Sequence, residues 1–149
     1  MDLFSRKSRI MAAVLFLILS AFICGCSKKQ VKPEPSEVKI TSQAFLAIEH
    51  LRKAYEAKNA AAAKEATTST GFPDVTDSFD QFDSATLKFY PKWVDMAADG
   101  TIDINVAWDG VWTKDGKKDK EQGMAVFEMT GNPPKLNRVL KGSPFTYPH

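Results

Sequence analysis

The sequence predicts an α+β fold in which N-terminal helices pack on one face of a four-stranded antiparallel sheet. Two changes of pattern predict it. From Thr41 to Thr67 there is no Gly or Pro, and apolar residues recur every three or four positions; from Ala85 onward the period drops to two. Turn-forming clusters then divide the alternating region into four runs.

In the helical region Phe45, Ile48, Leu51 and Tyr55 form one stripe that must face a core, while Lys53, Glu56, Lys58, Lys64 and Glu65 fall on a solvated face. Asn59 interrupts the pattern, so the region is either two helices, Ser42 to Lys58 and Ala60 to Thr67, or one bent helix. Gly71 to Ser84 reads as a loop with one short helical segment. Its acids Asp74, Asp77, Asp80 and Asp83 are spaced by three, whereas a calcium loop places ligands at alternate positions around a central Gly with a closing Glu. We therefore expect no metal and no cofactor.

The first strand carries Leu87, Phe89 and Trp93; Pro91 cannot donate to a ladder, which predicts an edge strand or a bulge there. Ala98-Asp99-Gly100-Thr101 turns the chain into the regular alternation of Ile102, Ile104, Val106 and Trp108 with Asp103, Asn105 and Asp109. Val111-Trp112-Thr113 extends that strand to a hairpin turn at Lys114-Asp115-Gly116-Lys117. Gly123 to Met129 forms the third strand, and after Asn132-Pro133-Pro134 the run Lys135 to Lys141 forms the fourth.

Leu51-Arg52-Lys53-Ala54-Tyr55-Glu56-Ala57-Lys58-Asn59 resembles the opening helix of the nuclear transport factor 2-like superfamily. Trp108-Asp109-Gly110-Val111-Trp112, Gly123-Met124-Ala125-Val126-Phe127 and the stretch Lys135 to Phe145 are similar to its later strands. The resemblance spans about residues 42 to 145 and departs from the superfamily pattern at Glu65-Ala66-Thr67-Thr68. It implies a curved, cone-like sheet able to enclose a pocket. The superfamily includes isomerases, dehydratases, ligand binders and interaction modules, so fold alone leaves function open.

No catalytic residue is expected. The only histidines are His50, beside the core stripe, and His149, the last residue. Asp103 and Asp109 share the polar strand face with Asn105 and point away from any pocket on the aliphatic face. Serine chemistry lacks its elbow motif and base. Tyr55, Trp93 and Trp108 are the candidate lining of a pocket for a small hydrophobic ligand. The sheet carries more aromatic surface than one small face needs, and Trp112, Phe127 and Met129 are the candidate residues of an exposed apolar interface. The resemblance implies a possible sheet-to-sheet homodimer. Three readings follow: a noncatalytic domain binding a hydrophobic ligand or an envelope protein, an isomerase- or dehydratase-type enzyme, and an envelope assembly accessory.

The N-terminus carries an address. Basic Ser5-Arg6-Lys7-Ser8-Arg9 precedes an uncharged run, Ile10 to Ile23, too short for the roughly 20 residues that cross about 30 Å of hydrocarbon but suited to a secretory signal. The run ends in Ile23-Cys24-Gly25-Cys26, which resembles the lipobox of bacterial lipoproteins and implies acylation of Cys26 after removal of residues 1–25. Acyl chains contribute about 0.8 kcal/mol per buried methylene, so Cys26 would hold the chain on the membrane, and Ser27 after it implies the periplasmic face of the outer membrane. Residues 26–40, with four Lys, two Pro and little to bury, read as a flexible linker; 41–145 as a single domain; 146–149 as a tail.

Of 20 basic and 18 acidic residues, Arg6, Lys7, Arg9 and Asp2 precede Cys26, which leaves the remainder neutral. That excludes phosphate-driven nucleic-acid binding. Radiolabelled palmitate fed to cells is expected to label the wild-type protein. Cys26→Ser should abolish the label and move the protein out of the membrane fraction.

Overall fold

The computed structural model describes residues 36–148; the expected signal, Cys26, most of the expected linker and His149 lie outside the described residues. Helix α1 spans Ser36–Glu56, α2 Ala60–Ala66 and α3 Gly71–Thr76, followed by a 3-10 turn at Phe79–Gln81. Strands β1 (Ser84–Met96), β2 (Ile102–Lys114), β3 (Lys117–Thr130) and β4 (Lys135–Lys141) form an antiparallel meander in the order β1-β2-β3-β4. The helices-then-sheet layout matches the expectation from sequence. Among the described residues no helix is long and apolar enough to cross a membrane.

Helix α1 begins at Ser36 rather than Ser42, so residues 36–40 of the expected linker are helical. The helix starts directly after Pro35, Glu37 suits the positive end of its dipole, and Ile40 packs on the core. Its buried residues Ala44, Ile48, Leu51 and Tyr55 step by four and three, with Phe45 at the margin of the stripe. The helix stops where Lys58 takes φ 50° and the Asn59 N–H bonds back to Ala54 O at 2.8 Å. The Asn59 side chain then caps α2 by accepting from Ala62 N at 3.0 Å, which settles the region as two helices.

The inner sheet face takes Ile102, Ile104, Val106, Trp108 and Trp112 from β2, and Ala125, Phe127 and Met129 from β3. Asp115 and Gly116, both at positive φ, form the β2–β3 turn expected at Lys114 to Lys117. Strand β3 starts at Lys117, well before Gly123, because the ladder continues from that turn through residues whose side chains have little to bury against. Pro91 lies on an edge strand and beside a bulge, since the β1–β2 register shifts between Pro91 and Trp93.

Side chains close both edges of the sheet. On β1, Glu56 Oε1 accepts from Leu87 N at 2.6 Å and Arg52 Nη1 donates to Leu87 O at 3.2 Å, while Arg52 and Glu56 bond to each other at 2.7 Å. The same guanidinium binds Glu49 and holds that carboxyl below its ordinary range. On β4, Asp74 Oδ2 accepts from Val139 N at 2.7 Å and Leu136 O accepts from Thr68 N at 2.9 Å. An unpaired edge is a template for another strand; here neither edge offers one at these positions. Glu56→Ala strips Leu87 N–H and Arg52 of their acceptor and is expected to lower unfolding free energy by about 1–3 kcal/mol in urea denaturation. Lys53→Ala, on the same helix but away from the sheet, should stay within about 0.5 kcal/mol.

Candidate functional site

Tyr55 faces the core from α1, and its hydroxyl lies at the centre of a buried chain of hydrogen bonds. Trp112 Nε1 donates to Tyr55 Oη at 3.0 Å, Tyr55 Oη and Ser78 Oγ are 2.9 Å apart, and Ser78 Oγ donates to Phe145 O at 2.7 Å. An indole only donates and a carbonyl only accepts, so the proton directions are fixed: Ser78 spends its hydrogen on Phe145, and Tyr55 must donate to Ser78. No donor in the chain is left over. Burial pushes the Tyr55 phenol above its ordinary range, against the Trp112 indole N–H, whose hydrogen bond to the phenol oxygen favours the ionised form.

Aromatic rings fill the rest of the cone. Phe145 returns from beyond β4 and packs 5.3 Å from Tyr55, 5.8 Å from Phe127 and 6.0 Å from Phe89, centroid to centroid. Phe82 and Phe79 close on Tyr55 from the other side at 5.1 and 5.8 Å. Trp108 and Trp112 meet edge to face at 6.1 Å, and the sheet makes room for them with glycines: a Cβ at Gly110 would collide with the Trp112 indole, and one at Gly123 with that of Trp108. Trp108 Nε1 donates to Gly142 O at 3.0 Å, tying the returning segment to the sheet. Tyr147, in the expected tail, extends this closure with a 2.6 Å hydrogen bond to Asp119.

The proposed pocket trio therefore does not assemble. Tyr55 and Trp108 are buried in the filled cone, while Trp93 is 53% exposed on the opposite face. The bulge causes the difference: Lys92 is the extra residue, so Val94 takes the inward position opposite Ile104, and Trp93 pairs with Asn105 on the outside. The interface trio is also corrected. Trp112, Phe127 and Met129 are each 0% exposed, because they occupy the face the helices cover.

The exposed apolar surface lies on the alternate parity. Tyr90, Ala107 and Met124 are register neighbours across three strands, and beside them run Trp93, Asn105 and Val126, with Leu140 at the β4 side. Tyr90 is 44%, Met124 41% and Leu140 47% exposed. Asp103 and Asp109 point to this outer face, as the alternation predicts. Tyr90 Oη donates to Asp109 Oδ2 at 3.1 Å. Asp103 stands between Asp95 and Glu128 with its Oδ1 buried and unbonded, and that desolvation, reinforced by the two neighbouring carboxylates, raises its pKa.

His50 is exposed on α1. Asp74 and Asp83 serve as backbone acceptors, for Val139 N at 2.7 Å and Asp115 N at 2.8 Å; with Asp77, Asp74 lines an open cleft of about 280 Å³ between α3 and the returning segment. Among the described residues no cluster of three His, Cys, Asp or Glu is placed to hold a metal. Sequence reasoning missed Ser78, Phe145, Arg52 and Glu56, whose roles arise from contacts distant in sequence.

This architecture is similar to that of solved structures with the nuclear transport factor 2-like fold. A superfamily protein from Salmonella enterica subsp. enterica serovar Typhimurium str. LT2 superposes with a TM-score of 0.61 at 11% identity, covering 73% of this chain and 94% of the other. ActVI-ORFA from Streptomyces coelicolor superposes with a TM-score of 0.52 at 13% identity, covering 67% and 94%. No protein-family profile matches the chain, and no curated protein matches it in sequence. At these identities the likeness defines the fold alone.

Tyr55→Phe leaves Trp112 Nε1–H without an acceptor and Ser78 Oγ with its bond to Phe145 O alone, and equilibrium unfolding should show a loss of about 1–3 kcal/mol. The pH dependence has a definite sign. A phenol whose pKa is raised by folding contributes stability that is full below the unfolded value, near 10, and is lost as pH rises through the folded value. The wild-type melting temperature should fall on that alkaline limb, and Tyr55→Phe should flatten it.

Proposed function

We propose that this chain is a lipid-anchored envelope protein whose folded domain acts without catalysis, by binding a protein partner through the outer face of its sheet. The observation that carries the reading is the exposed band of Tyr90, Trp93, Met124 and Leu140 on a sheet whose inner face is packed and whose edges are capped. An apolar band of this kind, bordered by Asp95, Asp103, Glu128 and Lys88, has the anatomy of an interface core with a polar rim.

The absence of catalysis is supported by where the candidate groups lie. Tyr55 is bonded on both sides within a closed chain, His50 faces solvent, and Asp103 and Asp109 are on the face away from the cone. A hydrophobic ligand in the cone would have to displace Phe145 from Tyr55, Phe89 and Phe127, which argues for a protein rather than a small molecule as partner. The lipobox-like Ile23-Cys24-Gly25-Cys26 and the following Ser27 support anchoring through acylated Cys26 at the periplasmic face of the outer membrane.

A photo-crosslinking residue placed at Trp93 in living cells tests the reading. It is expected to trap a polypeptide that the same probe at His50 does not. Equal yields at both positions, or none at either, would overturn it. An apolar compound released on unfolding the native protein would restore ligand binding instead.

A further inference from the structure

Seven large apolar side chains are exposed among the described residues, and the outer-face band accounts for four of them. The other three lie on the first half of α1 or beside it. Val38 is 46% and Leu46 69% exposed on α1, and Met96 is 39% exposed at the end of β1. Met96 leads into exposed Ala97 and Ala98, and this turn and the start of α1, at Glu37 and Thr41, flank an open groove of about 630 Å³. Along α1, Lys39, Ser42, Leu46 and Lys53 form the stripe opposite the buried Ala44, Ile48, Leu51 and Tyr55, so Leu46 points straight out between two lysines.

We infer that this end of the domain is a second membrane contact, with the first half of α1 and the β1–β2 turn resting on lipid headgroups and the β2–β3 hairpin pointing away. The inference rests on the anchoring through Cys26 proposed above and goes beyond it by assigning a lipid-binding surface to the folded domain. Chain length restricts the approach. The ten residues from Cys26 to the start of α1 at Ser36 span at most about 35 Å, even fully extended. Strand β2, 13 residues from Ile102 to Lys114, carries the hairpin about 40 Å beyond the end of the sheet where α1 starts. A domain tethered at Ser36 therefore cannot meet the bilayer hairpin first. Lying on its outer face, it would press the carboxylates of Asp95, Asp103 and Glu128 against lipid phosphates.

The chemistry of the near end suits a headgroup layer. Lys28, Lys29, Lys32 and Lys39 outnumber Glu34 and Glu37, which leaves this stretch basic and attracted to anionic lipid. Lys39 and Lys53 can lay their stems along the apolar boundary while the ammonium groups stay among phosphates, and Val38, Leu46 and Met96 supply the apolar contact. Exposed Asp95 and Asp99 at the same end set the depth, because carboxylates carried into hydrocarbon would lose their hydration. Seated this way, the outer face stands clear of the bilayer and is open from the side.

The test uses the full-length protein, purified with its acyl group and reconstituted into vesicles of phosphatidylethanolamine and phosphatidylglycerol. With Cys24 removed and Cys26 acylated, Ala98→Cys supplies the single free thiol for a bimane fluorophore; Lys117→Cys reports on the hairpin and Met124→Cys on the outer face. Lipids brominated on their acyl chains should quench the Ala98 label several-fold more than either of the others. Adding Val38→Asp and Met96→Asp should bring Ala98 down to their level. Intact mass checks acylation, and circular dichroism checks the fold of each variant. An acylated, folded chain quenched equally at all three positions overturns the contact and leaves the anchor standing. Quenching strongest at Met124 lays the outer face on the bilayer, which overturns this orientation together with the protein-partner reading. A chain without an acyl group overturns the anchor and this contact with it.

Discussion

The hydrogen-bond chain from Trp112 through Tyr55 and Ser78 to the carbonyl of Phe145 ties together α1, β2, the turn after α3 and the segment beyond β4. Each group is buried, and its polar atom would cost roughly 1–3 kcal/mol if left unmatched. Because the direction of donation is fixed at both ends, the four residues constrain one another, and a shift of any element strands a donor or an acceptor. The aromatic packing then follows: with the Tyr55 hydroxyl held, its ring presents faces and edges to Phe79, Phe82 and Phe145. A cone that in principle can enclose a ligand is thereby filled by the chain itself.

Closing the cone has a consequence for the sheet. With helices on its inner face, a small antiparallel sheet still exposes two edges and one face, and all three are routes to association. Arg52 and Glu56 block β1 at Leu87, Pro91 and the bulge break its ladder further along, and Asp74 and Thr68 cover β4. The face that remains is the one carrying Trp93 and Met124. Blocking the edges while leaving an apolar face open is the arrangement expected of a domain that associates through side chains rather than by adding strands.

Much of this fold was legible in the sequence, and the limits have physical reasons. Asn59 announced the break between helices because one residue both tolerates the turn and supplies a cap; Asp115-Gly116 announced its hairpin because few residues accept positive φ in succession. Pro91 announced an edge and a bulge. The bulge's effect on Trp93 was not legible, since one extra residue reverses every later side chain on a strand and its position is set by pairing with β2. Alternation locates two faces on β2 and β3 but not which of them the helices cover, so Trp112 on β2 and Phe127 and Met129 on β3 read as an exposed face when they belong to the covered one. Ser78 and Glu56 carried no pattern at all. A serine in a loop and an acid on a polar helix face acquire roles only when residues 145 and 87 are brought beside them.

The proposed anchor bears on how strong the outer-face contact has to be. A tether at Cys26 would confine the domain to a thin layer beside the membrane, raising its effective concentration toward a partner in the same layer and turning a weak encounter into a populated complex. The exposed band contributes only a few large side chains, Tyr90, Trp93, Met124 and Leu140, with charges at either end. Interfaces of that modest kind are typical of transient association between free proteins, where losing rotational and translational freedom consumes much of the gain. On a membrane part of that freedom is already lost before the faces meet. A surface small enough to keep the free chain from aggregating would then suffice to hold a partner confined to the same layer.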